Sequence, residues 1–191
     1  MIVIFGGAFN PPTIAHKKIA QRVLAMPDVT KFLFMPVGNH YEKAQLIPAT
    51  HRVKMLEMVV AQLSNASISK VEIKAKRAFK TIETLEILQT KYPGEDLAFV
   101  MGADNLIDLT KWHDYENLIK NFKMIIFNRS EFDVHGFINK NFTNATDNFL
   151  IMDDFDEIEI SSSQYRGDVT RGELLLSGVE KYIKENALYR N

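Results

Sequence analysis

Met1-Ile2-Val3-Ile4-Phe5-Gly6-Gly7-Ala8-Phe9-Asn10-Pro11-Pro12-Thr13-Ile14-Ala15-His16 opens the chain, and its reading decides the fold. Ile2–Phe5 is a short, continuously apolar run, the pattern of a strand buried on both faces. It breaks at Gly6-Gly7. Asn10-Pro11-Pro12 marks a turn, and a helical pattern begins near Thr13 with His16 in its first turn. A strand, a glycine break and a helix N-terminus together make a seat for phosphate. Gly6-Gly7 alone reads equally well as a plain tight turn. Neither GxGxxG nor GxxxxGK[ST] is present, so the segment is neither a hydride-transfer fingerprint nor a P-loop.

Outward from this stretch, strand and helix patterns alternate. Ile14–Met26 predicts a helix with Ile19, Ala20, Val23 and Leu24 on its apolar side, ended by Pro27-Asp28. Phe32–Pro36 predicts a second strand, and the polar Gly38–Pro48 a surface loop. Arg52–Leu63 predicts a helix, and the alternating Ile68–Ile73 a strand. Thr81–Tyr92 predicts a helix stopped by Pro93-Gly94. Leu97–Met101 and Met124–Phe127 predict buried strands, with a short helix at Trp112–Lys120 between them. The polar Ser130–Asn148 reads either as a short helix near Val134–Lys140 or as a mobile loop. Phe149–Met152 predicts a last strand, and Ser163–Arg171 and Val179–Asn186 predict helices. Short apolar strands separated by helices imply an α/β fold, a Rossmann-like, doubly wound parallel sheet with helices on both faces. Ligands of such sheets bind beyond the carboxyl ends of the strands.

The bulk properties narrow the class. A chain of 191 residues fits one domain over residues 1–191, with 160–191 a C-terminal helical subregion. Hydrophobic content of 46% supports a sizeable core, and the net charge of −1 shows no basic excess. That argues against nucleic acid and membrane surfaces as partners. The chain has no cysteine, which excludes disulfides and thiolate chemistry. No apolar run approaches the ~20 residues that span a bilayer, and a cytoplasmic protein is expected. A homo-oligomer is left open.

Two motifs now become informative. Gly7-Ala8-Phe9-Asn10-Pro11-Pro12-Thr13-Ile14-Ala15-His16 resembles the G-x-F-[DN]-P-x-[HT]-x-G-H signature of the nucleotidyltransferase superfamily. Ile160-Ser161-Ser162-Ser163-Gln164-Tyr165-Arg166 resembles its I-S-S-T-x-x-R. The pair, in the right order, is more specific than either alone. Gly102-Ala103-Asp104 with Trp112 downstream resembles the G-x-D…W of nicotinate mononucleotide adenylyltransferases. Thr81-Ile82-Glu83-Thr84-Leu85 resembles their T-x-x-T-L, and Tyr182-Ile183…Leu188-Tyr189 their ending. The chain departs from the pattern at Thr13, at Ala15, in Gly38–Lys43 and at His113. These stand where relatives carry histidine, glycine, P-P-H-[KR] and tyrosine.

The resemblance implies transfer of AMP from ATP to nicotinate mononucleotide, giving deamido-NAD and pyrophosphate. It implies His16, Arg166 and Lys43 as catalytic residues. The ATP-binding set would be Gly7, Ala8, Phe9, Thr13, His16, Gly102, Asp104, Ile160, Ser162, Ser163 and Arg166. Thr81, Thr84, Trp112 and Arg129 would bind the acceptor. Mg²⁺ would accompany ATP, without dedicated protein ligands. The residues also have plain structural readings. Thr13 and Ser161–Ser163 suit helix caps, Asp104 an N-cap, Thr81 a helix start, Trp112 the core, and Lys43 a solvated surface. His16 could act as imidazolium or as a neutral donor. His113 keeps open an acceptor that is the amide or another phosphorylated compound. The altered Gly38–Lys43 loop keeps open a non-catalytic nucleotide-binding regulator.

Overall fold

A computed structural model describes residues 1–128, 132–153 and 160–189. In chain order the elements are β1 Ile2–Gly7, α1 Ile14–Leu24, β2 Lys31–Pro36, α2 Ala49–Val60, β3 Ala66–Ile68, α3 Thr81–Lys91, β4 Leu97–Gly102, α4 Ala103–Ile107, α5 Tyr115–Asn121, β5 Lys123–Phe127, α6 Val134–Asn141, β6 Phe149–Met152, α7 Ser162–Gly167 and α8 Ser177–Glu185. The strands form a six-stranded sheet in the order β3-β2-β1-β4-β5-β6, and its recorded strand pairs are parallel. This is the Rossmann-like α/β fold that the alternating pattern predicts.

The chain divides into two compact units. The first comprises Met1–Gly6 and Phe79–Ile158. Its strands are in a register that aligns Ile4, Phe99, Met124 and Phe149. β4 and β5 are buried along almost their whole length, which is why both read as unbroken apolar runs rather than alternating ones. α6 resolves the open reading of the polar stretch in favour of the helix. Its Asp133 N-cap accepts from the Gly136 amide at 2.8 Å.

The second unit comprises Gly7–Ala78 and Glu159–Asn191. Here β2 and β3 pair with Phe34 opposite Ile68. α1 buries Ala15, Ile19, Ala20 and Val23, nearly the stripe read from the sequence. α2 begins a turn earlier than Arg52, directly after Pro48, and buries Met55, Leu56 and Val59. Its His51 Nδ1 lies 2.9 Å from the hydroxyl of Tyr182 in α8.

Four expectations are corrected. The strand over Ile68–Ile73 ends at Ile68. After the Ser69 amide bonds the Phe34 carbonyl (2.8 Å), the chain coils, with Lys74 N donating to Lys70 O and Ala75 N to Glu72 O. Alternation there reflects a turn with buried and open sides. The helix over Trp112–Lys120 begins only at Tyr115, and Trp112 sits before it. The helix over Ser163–Arg171 ends at Gly167, because the Asp168 carboxylate accepts from the amide of Thr170 (3.0 Å) and from its hydroxyl. Such an Asx turn competes with the helical ladder. The helix over Arg52–Leu63 is replaced by Ala49–Val60.

Candidate active site

In the second unit the two motifs are bonded to each other at Asn10. The Asn10-Pro11 peptide is cis, and Asn10 is fully buried. Its Nδ2 donates to the Gln45 carbonyl at 2.8 Å. Its Oδ1 accepts from the Ile47 amide (3.4 Å) and from the Tyr189 hydroxyl (2.8 Å). Its backbone carbonyl accepts from Arg166 Nη1 at 2.8 Å. One residue later, the Pro11 carbonyl accepts from Ser162 Oγ at 2.8 Å. α7 is thereby fastened to the turn that precedes α1.

The start of α7 is a full capping box. Gln164 N donates to Ser161 Oγ (3.1 Å), and Ser161 N donates to Gln164 Oε1 (2.6 Å). So Ser161 is the cap, while Ser162 and Ser163 open the helix. Arg166 Nη2 donates to Ser163 Oγ at 3.1 Å. Arg166 Nε is buried and has no partner among the described residues. Leaving such a donor unpaired costs on the order of 1–3 kcal/mol, which an anionic acceptor would offset. Ile160 leads into this turn, half-buried.

Gly7 and Phe9 explain each other. A Cβ on Gly7 would lie 3.1 Å from Phe9 Cζ, so the glycine makes room for the ring. Phe9 sits at φ 46 and is buried, edge-on to His16 at 5.1 Å and to Phe34 at 5.6 Å. Thr13 is the N-cap of α1 and fully buried. Its amide donates to His16 Nδ1 at 2.9 Å.

Lys43 rides on the loop after β2, beside a cavity of about 330 Å³ lined by Asn39, Tyr41, Lys43, Leu46 and Pro48. Burial pushes its ammonium pKa down, and the Arg166 guanidinium lowers it further. The two cations repel one another. His40 and Lys43 are both exposed, and the Arg166 charge beside Lys43 is what sets it apart in this loop.

The residue that sequence reasoning missed is Arg52. It is fully buried. Its guanidinium donates to the carbonyls of Ile47 (3.0 Å), Ala8 (2.9 Å) and Val37 (2.7 Å). It thus joins the first motif to both ends of the Lys43 loop. The sequence holds one hint, the helical spacing that puts Arg52 on the same face as Met55, Leu56 and Val59, but spacing alone does not tell a buried arginine from a solvated one. Asn10 and Tyr189 stand out in the sequence only as motif positions.

The first unit carries the remaining candidates. Gly102 is the N-cap of α4, and Asp104 lies in its first turn, so Asp104 is not the cap. A Cβ on Gly102 would collide with Asp104 Oδ1. Asp104 is exposed, with Asn105 Nδ2 donating to its Oδ2 at 3.3 Å. Trp112 is half-buried and edge-on to Phe99 at 6.2 Å, a rim position rather than a core one. Thr81 starts α3, half-buried. Thr84 is fully buried, and its hydroxyl donates to the Lys80 carbonyl at 3.4 Å. Of the two, Thr81 is the more open to a ligand. Arg129 lies outside the described residues.

The sequence pattern of the family described as Cytidylyltransferase-like matches residues 4–168. The chain is 34% identical to a probable nicotinate-nucleotide adenylyltransferase of Acholeplasma laidlawii, over 99% of this chain and 97% of that protein. It is 29% identical to the nicotinate-nucleotide adenylyltransferase of Bacillus subtilis, over 100% and 98%. In structure it resembles a Plasmodium falciparum nicotinic acid mononucleotide adenylyltransferase complexed with NaAD. The TM-score is 0.79 at 20% identity, with 98% of this chain and 96% of that one covered. The chain belongs to the cytidylyltransferase-like family and, within it, to the nicotinate-nucleotide adenylyltransferases. No helix among the described residues is long and apolar enough to cross a membrane.

Proposed function

We propose that this protein transfers the adenylyl group of ATP to nicotinate mononucleotide, forming deamido-NAD and releasing pyrophosphate. The observation that carries the reading is the bonding of Arg166 and Ser162 to the Asn10 and Pro11 carbonyls. Through it the second motif, the His16 turn and the Lys43 loop are built around one buried asparagine.

An oxygen of the mononucleotide phosphate attacks the α-phosphorus of ATP. A new P–O bond forms, the bond bridging the α- and β-phosphates breaks, and pyrophosphate leaves with the electron pair. The nucleophile is already an anion, so alignment and charge stabilisation carry the catalysis. His16 donates to an oxygen of the α-phosphate. Arg166, through its planar fork, and the first turn of α7 at Ser162 and Ser163 bind the β- and γ-phosphates. Lys43 neutralises phosphate from its loop. Gly7, Ala8, Phe9, Thr13 and Ile160 shape this seat. Gly102 and Asp104 serve the nucleoside, with Asp104 accepting from a ribose hydroxyl. Thr81, Thr84, Trp112 and Arg129 serve the acceptor, Trp112 as a ring platform. Mg²⁺ would accompany the triphosphate and would supply charge neutralisation there, with no dedicated protein ligand called for. Among the described residues no group of three or more His, Asp or Glu side chains is placed to hold a metal ion.

The test is pyrophosphate release from ATP and Mg²⁺ with nicotinate mononucleotide, nicotinamide mononucleotide or phosphopantetheine as acceptor. The acid is expected to give the highest kcat/KM, and His16→Ala is expected to lower turnover by ~100-fold. ATP binding by calorimetry with no release from any acceptor would leave the regulator reading instead.

A further inference from the structure

Thr13 and His16 hold each other in a way that decides where the imidazole proton sits. His16 is the third helical residue of α1 and reaches back to its own N-cap. The Thr13 amide donates to Nδ1 at 2.9 Å, and Thr13 Oγ1 lies 2.7 Å from the same nitrogen. An amide N–H always carries its proton and cannot accept. Nδ1 is therefore an acceptor and bears no hydrogen. The threonine hydroxyl, free to rotate, donates to it as well. A neutral imidazole with a bare Nδ1 carries its proton on Nε2. A proton added at Nδ1 would face the Thr13 amide donor across 2.9 Å, so the cation forms only by breaking this contact. The edge-on Phe9 ring, 5.1 Å away at 68°, and the complete burial of Thr13 leave little room for the ring to turn out of it.

We infer that Thr13 is a positioning residue that locks His16 into the Nε2–H tautomer. His16 then meets phosphate as a neutral, directional donor, and positive charge is supplied by Lys43 and Arg166. This assigns the threonine of the first motif to the histidine rather than to a nucleotide oxygen. The inference rests on the reading of His16 as the phosphate donor only for its consequence, not for the tautomer itself.

The experiment is nitrogen NMR on the full chain labelled with ¹⁵N-histidine. It is run at about pH 7.5, above the ordinary histidine range, with His16 assigned by the signal lost in His16→Gln. The wild type is expected to show His16 as Nε2–H. Thr13→Ser keeps the hydroxyl and is expected to match it. Thr13→Val keeps the amide but loses the hydroxyl, and is expected to stay Nε2–H with a moved Nδ1 signal. A His16 that is mainly Nδ1–H or imidazolium in the wild type overturns the inference. So does a Thr13→Val spectrum with both ring nitrogens unmoved. The reading is made on the protein without substrate. Absence of pyrophosphate release would therefore remove the proposed function and leave the tautomer result standing.

Discussion

The Tyr189 hydroxyl donates to Asn10 Oδ1 at 2.8 Å, joining residues 179 positions apart. The last described turn of the chain is thus part of the wall behind the first motif. Burial pushes the Tyr189 pKa far above the ordinary phenol range, with the Arg166 and Arg52 guanidinium groups opposing that shift. Burial thus favours the neutral phenol, the form that donates. Tyr189→Phe deletes one hydrogen bond to a buried amide and is expected to cost about 1 kcal/mol, read by urea unfolding. Because Asn10 also holds Arg166, KM for ATP should rise on the order of 10-fold while the far-UV spectrum stays unchanged. A pKa raised in the folded state stabilises below the unfolded value of about 10 and loses that contribution as pH rises beyond it. Alkaline destabilisation should accordingly be shallower in Tyr189→Phe than in the wild type.

Lys43 and Arg166 make a second, electrostatic prediction. Desolvation and then the Arg166 charge lower the Lys43 pKa. If the ammonium is the form that meets phosphate, kcat/KM falls as pH rises through that lowered value. Arg166→Gln removes the repulsion, so the alkaline limb of the kcat/KM profile should move to higher pH even as its plateau drops. Lys43→Ala should abolish the limb. An alkaline limb that stays in place in Arg166→Gln would show that another group titrates there. The free enzyme is what kcat/KM reports, so bound substrate does not mask the shift.

Much of this architecture was legible in residue order, for identifiable reasons. β1, β4 and β5 are buried on both faces, so their apolar runs were unbroken. Thr81–Lys91 was bounded by its own stop signal at Pro93-Gly94. The ends set by side chains were not legible. Nothing local in Ser163–Arg171 announces that the Asp168 carboxylate will take the Thr170 amide. The alternation of Ile68, Val71 and Ile73 fits a strand and a coiled turn alike. The residues proposed to meet phosphate were visible because they sit in motifs. Arg52 was not, because a lone arginine in a helix reads as a solvated charge until its three carbonyl partners are known. Those partners lie in the first motif and at the two ends of the Lys43 loop, which only the fold brings together.

Arg52 should therefore resist the usual basic exchange. Its three carbonyl partners are reached by three different nitrogens of a planar fork, and lysine offers one nitrogen at a single point. Arg52→Lys is expected to lose at least two of these bonds and to destabilise by about 2 kcal/mol or more, since bonds from a charged donor are worth roughly 1.5–3 kcal/mol each. Thermal unfolding measures this directly. The Ala8 and Val37 carbonyls belong to the first motif and the start of the Lys43 loop, so turnover should fall beyond what the lost stability explains at a temperature where the variant is fully folded. Equal turnover in that folded variant would reduce Arg52 to a core residue.

Gly38 tests whether the Lys43 loop must be held at its root. A Cβ there would run into the Glu72 backbone carbonyl, at the turn that replaces the expected strand. Backbone cannot swing aside as a side-chain tip can, so Gly38→Ala must displace either the loop or the Lys70–Lys74 turn. Overpacking of this kind costs typically about 1–3 kcal/mol. If the loop yields, Lys43 moves away from Arg166. Its ammonium is then relieved, and the alkaline limb of kcat/KM shifts upward as in Arg166→Gln, but with Arg166 still present. If the turn yields, stability drops and the pH profile keeps its position. Measuring unfolding and the pH dependence on the same variant separates the two, and the expected result is the shifted limb, because the Lys43 loop is polar and exposed whereas Glu72 is buried.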